Sequence, residues 1–160
     1  MTSGSDLKQL VVFRLGNEEY GFDISKVREI HAMQDIAKVH GSAGYIEGVV
    51  NLRGRLLTVI SLRKRFGMER KAPEGGVSKI IVIDAPDAPV GFVVDEVLEV
   101  ARISKENVED APHYVKKSIE ADYILGIAKV EGRLITIIDP VKVLELSGDV
   151  EDSSGGVGSG

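Results

Sequence analysis

YIEGVVNLRGRLLTVISLRKRFG, residues 45–67, returns later in the chain as YILGIAKVEGRLITIIDPVKVLE, residues 123–145. At an offset of 78, nine of the 23 aligned positions are identical: Tyr, Ile, Gly, Gly, Arg, Leu, Thr, Ile and Lys. Each segment is two β-rich runs joined by a dipeptide ending in glycine, Arg53-Gly54 in the first and Glu131-Gly132 in the second. Such a dipeptide marks a tight hairpin with positive φ. Upstream the likeness continues at an offset of 70: residues 10–13 match 80–83, Gly21-Phe22 matches Gly91-Phe92, and Val27 and Glu29 match Val97 and Glu99. The change of offset puts eight extra residues in the second copy, within 104–117. Residues 1–146 therefore read as one domain built from two tandem copies, 8–72 and 78–146, and exchange of strands between them is compatible with the pattern.

Around this frame the remaining strands follow from alternation and turn residues. Strands are expected at 9–15, 19–24, 45–52, 55–61, 79–84, 89–94, 97–103, 123–130 and 133–138. Residues 25–31 fit either a helical turn, with Ser25 as its N-cap and Glu29 close behind, or a strand over 26–31. Residues 62–66 make a helical turn ended by Gly67. Residues 112–120 read as a polar excursion, 140–146 as a short helix opened by Pro140, and 147–160 as a disordered tail. About five short strands per copy, with turns every 8–12 residues, is the pattern of a small barrel. A groove is expected between the two copies.

Composition agrees. The chain has 160 residues, with 21 Val and 15 Ile against 12 Leu and 10 Ala. Branching at Cβ favours a pleated sheet. The absence of Cys removes disulfides, thiolate metal sites and cysteine nucleophiles. Three histidines, His31, His40 and His113, leave little for zinc or imidazole catalysis. No apolar run approaches the length of a membrane span and no leader pattern opens the chain, so a cytoplasmic protein is expected. Residues 1–71 carry net charge +4 and residues 72–160 carry −9, a dipolar distribution suited to docking on charged protein surfaces.

Catalytic patterns are missing. Gly41-Ser42-Ala43-Gly44 lacks the Lys-Ser/Thr continuation of a phosphate loop and precedes a strand. Asp95-Glu96 reads as a solvated turn, because neighbours on a strand face opposite ways. His31 reads as a surface or half-buried residue. Asn51-Leu52-Arg53-Gly54 does stand out. Its counterpart is Lys129-Val130-Glu131-Gly132, so the turn demands the glycine and not Arg53. Arg53 is free to pair with an acid, Glu29 being the candidate, and to orient a partner.

These residues resemble the CheW family of chemotaxis coupling proteins. The likeness rests on LVVFRLGNEEYGFDISKVREI at 10–30, IEGVVNLRGRL at 46–56, VGFVVDEV at 90–97 and GRLITIID at 132–139. Thr58 departs from it, where relatives often carry Pro. The resemblance implies two SH3-like β-barrels and a non-catalytic adaptor without cofactor. It implies coupling of the cytoplasmic tip of methyl-accepting chemoreceptors to the regulatory domain of the histidine kinase CheA, with further copies joining in rings. The membrane is met only through the receptors, at whose arrays the protein gathers. Val27, Glu29, Ile30, Gly48, Arg53 and Ile80 then fall at receptor-binding or signalling positions, with Asn51, Leu52 and Gly54 shaping the turn. Leu56 and Leu57 fall at the kinase contact. A fused receiver or kinase domain does not fit in this length, so ATP and phosphorylation are expected of partners.

Two other readings are carried forward. Arg53, Arg55 and the basic run 63–65 suit a small-barrel nucleic-acid binder, although aromatics are only 5% and offer no stacking platform. A hydrolase would have to use His31 or His113.

Overall fold

The structure is a computed structural model, and it describes residues 7–41, 44–68, 77–110 and 122–144. The excursion at 112–120 and the tail at 147–160 lie outside these residues. Eleven strands are described. They are β1 (Leu7–Leu15), β2 (Glu18–Asp23), β3 (Val27–Ala32), β4 (Ile46–Leu52), β5 (Arg55–Ser61), β6 (Lys79–Ile83), β7 (Val90–Val94), β8 (Glu96–Ser104), β9 (Val108–Glu109), β10 (Ile124–Val130) and β11 (Arg133–Ile138). One short helix, α1 (Leu62–Arg65), follows β5, and residues 140–144 are helical.

Two sheets result, in strand orders β8-β1-β2-β11-β10-β9 and β3-β6-β7-β5-β4. Each takes a hairpin from the opposite copy. The β1–β2 hairpin of the first copy pairs with β8 and β11 of the second, while β6–β7 of the second pairs with β3 and β5 of the first. Corresponding strands meet in corresponding registers. Val97 faces Phe13 in one sheet and Val27 faces Ile83 in the other.

This exchange explains why LVVF and IIVI are continuous apolar runs rather than alternating ones. A strand buried on both faces has no polar side to show. Leu10 and Val12 point into a core with Ala101, Ile103, Ala128, Ile135 and Ile137, drawn from strands at both ends of their sheet, so the sheet curls like a barrel around it. Ile80 and Val82 do the same in the other sheet with Val50, Leu57 and Val59. The opposite faces of the same strands, Val11, Phe13, Ile81 and Ile83, meet in a third core that joins the sheets.

A groove lined by both copies does open, among Met33, Tyr45 and Met68 of the first and Ser78 and Val93 of the second, but the rest of the contact between the copies is a packed seam. All four phenylalanines are in it or against it, with Phe13 and Phe22 ring centroids 4.8 Å apart and Phe22 and Phe92 5.7 Å apart. Tyr20, Tyr45 and Tyr123 join them. Among the described residues, the aromatics that a nucleic-acid platform would need are spent on holding the sheets together.

One polar device crosses this seam, and it corrects the reading of Asp95-Glu96. Asp95 is not a solvated turn residue; its side chain is 3% exposed. Its Oδ2 accepts from the Gly16 backbone N–H at 2.7 Å and from Arg63 Nη1 at 3.2 Å. Arg63 belongs to α1 and Gly16 to the β1–β2 turn, so one carboxylate pins the end of one sheet to the hairpin of the other. Glu96 stays at the surface, paired with Arg14. Alternation separates the two acids as expected, but puts one of them inside.

Candidate functional site

Residues 25–31 resolve in favour of the strand. Ile24–Lys26 form a single 3-10 turn capped by Asp23, whose Oδ1 accepts from Ser25 N–H at 2.9 Å. Ser25 is thus the capped residue and not the cap. From Val27 the chain is extended, as a β-branched residue favours. β3 lies at one end of its sheet and β4 at the other, and β3 alternates half-buried Val27, Glu29 and His31 with exposed Arg28, Ile30 and Ala32.

The hairpin between β4 and β5 reaches toward β3. Arg53 and Gly54 have φ of 52° and 84°, the pair of positive values a two-residue turn of this hand requires. Asn51 locks the turn by accepting from the Gly54 N–H at 2.8 Å. Arg53 Nη2 then stands 2.7 Å from Glu29 Oε2, and His31 Nε2 stands 2.9 Å from Glu29 Oε1. Both carboxylate oxygens are engaged, and the ion pair links the two ends of the sheet. Arg53 keeps 67% of its side chain exposed and Glu29 27%.

The second copy shows what in this arrangement is structural. Glu131 and Gly132 repeat the positive φ values, 49° and 81°. Glu99, the counterpart of Glu29, is also paired with an arginine, but with Arg133, the first residue of β11. The carboxylate tie across the sheet is common to both copies, while an arginine at the tip of the turn is particular to the first.

The hydrogen bond from His31 first, and that from Arg53 second, hold the Glu29 carboxyl below the ordinary carboxylate range. A carboxyl so depressed contributes stability above its unfolded value, near pH 4.3, and loses it as pH falls through the lower folded value. In an NMR titration Glu29 should ionise at lower pH than the exposed glutamates. Its midpoint should rise in both His31→Ala and Arg53→Ala, more in the first. Equal midpoints in all three proteins would mean the contacts are not made in solution.

The other candidate residues are placed differently. Ile30 is 40% exposed on the face of β3 opposite Glu29 and His31 and is accessible to a partner. Val27 is half-buried against the seam core, and Leu52 against the core of its own sheet. Ile80, 1% exposed, and Leu57, 5% exposed, are core residues; the period of two that turns Leu56 outward, at 74% exposed, turns Leu57 inward.

Gly48 is buried and serves the fold. It sits at a bulge with φ +144°, where an added Cβ would lie 2.1 Å from the Ala37 carbonyl oxygen. That closeness lets residues 36–37 strap across β4, with Ala37 and Val49 exchanging backbone hydrogen bonds of 2.8 and 2.9 Å.

A cleft of about 810 Å³ opens beside this strap, among Met33, Ile36, Tyr45, Met68 and Val93. It does not include Glu29 or Arg53. Among the described residues, no cluster of three His, Asp or Glu could hold a metal ion, and no helix is long and apolar enough to cross a membrane.

The family model described as the CheW-like domain matches residues 9–147. The chain belongs to the CheW-like family. Among its relatives, the chemotaxis protein CheW of Bacillus subtilis is 36% identical over 141 residues, covering 86% of this chain and 87% of that one. The CheW of Treponema pallidum is 32% identical over 134 residues, covering 82% and 78%. The crystal structure of the scaffolding protein TtCheW from Thermoanaerobacter tengcongensis superposes with a TM-score of 0.77 at 35% identity, covering 85% of this chain and 86% of that one. As a CheW-like protein this chain is a non-catalytic chemotaxis scaffold, and the nucleic-acid and hydrolase readings fall away.

Proposed function

We propose that the protein couples methyl-accepting chemoreceptors to the histidine kinase CheA, with the receptor tip docking along β3 and the β4–β5 turn. The observation that supports this face is the exposed Arg53: the second copy ties its sheet through Arg133, so an arginine at the turn tip exceeds what the fold needs. Ile30, exposed on the other face of β3, supplies an apolar anchor for a helix that lies along this strand at the end of the sheet. Val27 supports the strand from beneath, and Gly48 and Ile80 act through the backbone and core they shape.

The kinase's regulatory domain docks by the exposed Leu56 at the outer face of the β4–β5 hairpin. Association with the receptors brings a protein of the cytoplasm to the membrane indirectly, and further copies extend the assembly into rings.

Co-sedimentation of the full chain with a receptor signalling fragment and the kinase tests this, with kinase activity read alongside. Arg53→Ala and Ile30→Asp should lower the amount of chain recovered with receptor, while their unfolding curves stay near wild type. Val27→Asp is a poorer probe, since it places a charge against the seam core. Leu56→Glu should release the kinase and leave receptor binding unchanged. Wild-type assembly and kinase activation by both Arg53→Ala and Ile30→Asp would overturn the receptor face.

A further inference from the structure

We infer that Glu131 and Arg102 are specificity-determining residues: they keep the receptor tip off the second copy, which otherwise repeats the docking surface of the first. The inference rests on the receptor reading of β3 and the β4–β5 turn given above, and it accounts for that surface being single.

The likeness of the two surfaces extends to their register. β3 and β8 each stand at one end of a sheet. Each shifts register at the same step, between Val27 and Glu29 in one and between Val97 and Glu99 in the other. Ile30 then lies opposite Ile81 and Val100 opposite Val11, and both Ile30 and Val100 are exposed. The hairpins also pair alike, with Leu52 opposite Arg55 and Val130 opposite Arg133 beside the turns. Even the strap has its counterpart, since Ala37 bridges Val49 as Glu109 pairs with Ile127.

Each copy thus presents an exposed β-branched side chain, a glutamate tied to an arginine, and a two-residue turn with positive φ at both positions. A helix that read only backbone shape and an apolar anchor would find two places on this chain.

Two exposed residues break the likeness where a partner would meet it. At the turn tip Glu131 stands in place of Arg53. A guanidinium only donates hydrogen bonds and a carboxylate only accepts them. A group that satisfies one tip is therefore left unpaired at the other. The sheet tie does not call for Glu131, because Glu99 is held by Arg133. On the strand, Arg102 stands where the first copy has Ala32, two residues from Val100 and so on the same side of β8. A long charged side chain borders the anchor there in place of a methyl group. Leu98 and Ala101, in place of Arg28 and His31, pack into the core of their own sheet. Unmatched charges around a shared shape discriminate between partners more than they strengthen binding.

The test counts receptor signalling fragments bound per full-length chain, by isothermal calorimetry and sedimentation velocity. Wild type should take up one. Glu131→Arg/Arg102→Ala, which gives the second copy the exposed residues of the first, should take up two. The reverse exchange, Arg53→Glu/Ala32→Arg, should take up none. All four positions are exposed, so unfolding curves should stay near wild type in both variants.

If Arg53→Glu/Ala32→Arg still binds as wild type does, the receptor surface itself is misplaced and both readings fall. If that variant loses binding while Glu131→Arg/Arg102→Ala still takes up a single fragment, the receptor surface stands and the inference is overturned. Two fragments on wild type would overturn it as well.

Discussion

Asp95→Ala is expected to lower folding stability by about 3 kcal/mol, because it removes a buried carboxylate that accepts both from Arg63 and from the Gly16 N–H. The Gly16 N–H loses its acceptor in the same step. For a domain of this size the melting temperature should fall on the order of 10 °C. The neighbouring acid provides the control. Glu96 pairs with Arg14 at the half-exposed surface, and Glu96→Ala should cost no more than about 1 kcal/mol. Chemical denaturation followed by circular dichroism separates the two. Comparable losses for both variants would mean that the crossing of the seam by Asp95 adds nothing to stability. Because Asp95 joins α1 to the β1–β2 turn, the variant should also unfold less cooperatively, one sheet ahead of the other.

Gly48→Ala should cost about 3 kcal/mol, combining backbone strain at a positive φ with a clash against a carbonyl that cannot rotate away. The loss should have a local signature. Amide exchange at Ala37 and Val49, which hold the strap to β4, should accelerate more than exchange in β10 or β11. The second copy again supplies the comparison. Gly126 occupies the same bulge, where an added Cβ would stand 2.9 Å from the Glu109 carbonyl oxygen and φ is outside the left-handed region. Gly126→Ala should therefore be the milder change. Equal effects would show that the strap's closeness at Gly48 is relieved by a shift of the loop.

Much of this architecture is legible in the amino-acid string because the repeat supplies its own alignment. Arg53-Gly54 and Glu131-Gly132 mark both hairpin turns, and the match of Glu29 with Glu99 foreshadows the carboxylate that ties each sheet. The exchange of hairpins is not legible in the same way. Pairing β1 with β8 joins residues far apart in sequence, and periodicity reports only local geometry. The one trace it leaves is the unbroken apolar character of LVVF and IIVI, which shows that both faces are covered without saying by what.

Asp95 leaves no trace at all, since its partner Arg63 sits in a basic run that reads as exposed. Leu57 and Ile80 are a different case. Their phase relative to Val59 and Val82 was available, and it places them inside. A resemblance locates a position in the family without telling whether it acts by contact or by support.

The exchanged hairpins also bear on how folding depends on concentration. A single copy of the unit carries strands that find their partners only in a second copy, so as separate chains two copies would have to meet by diffusion, and their stability would rise and fall with protein concentration. Linking the copies turns that encounter into an intramolecular one, at an effective concentration set by the connection between β5 and β6 and independent of expression level. A scaffold whose stoichiometry with its partners matters can thus be made scarce or abundant without changing the fraction of it that is folded.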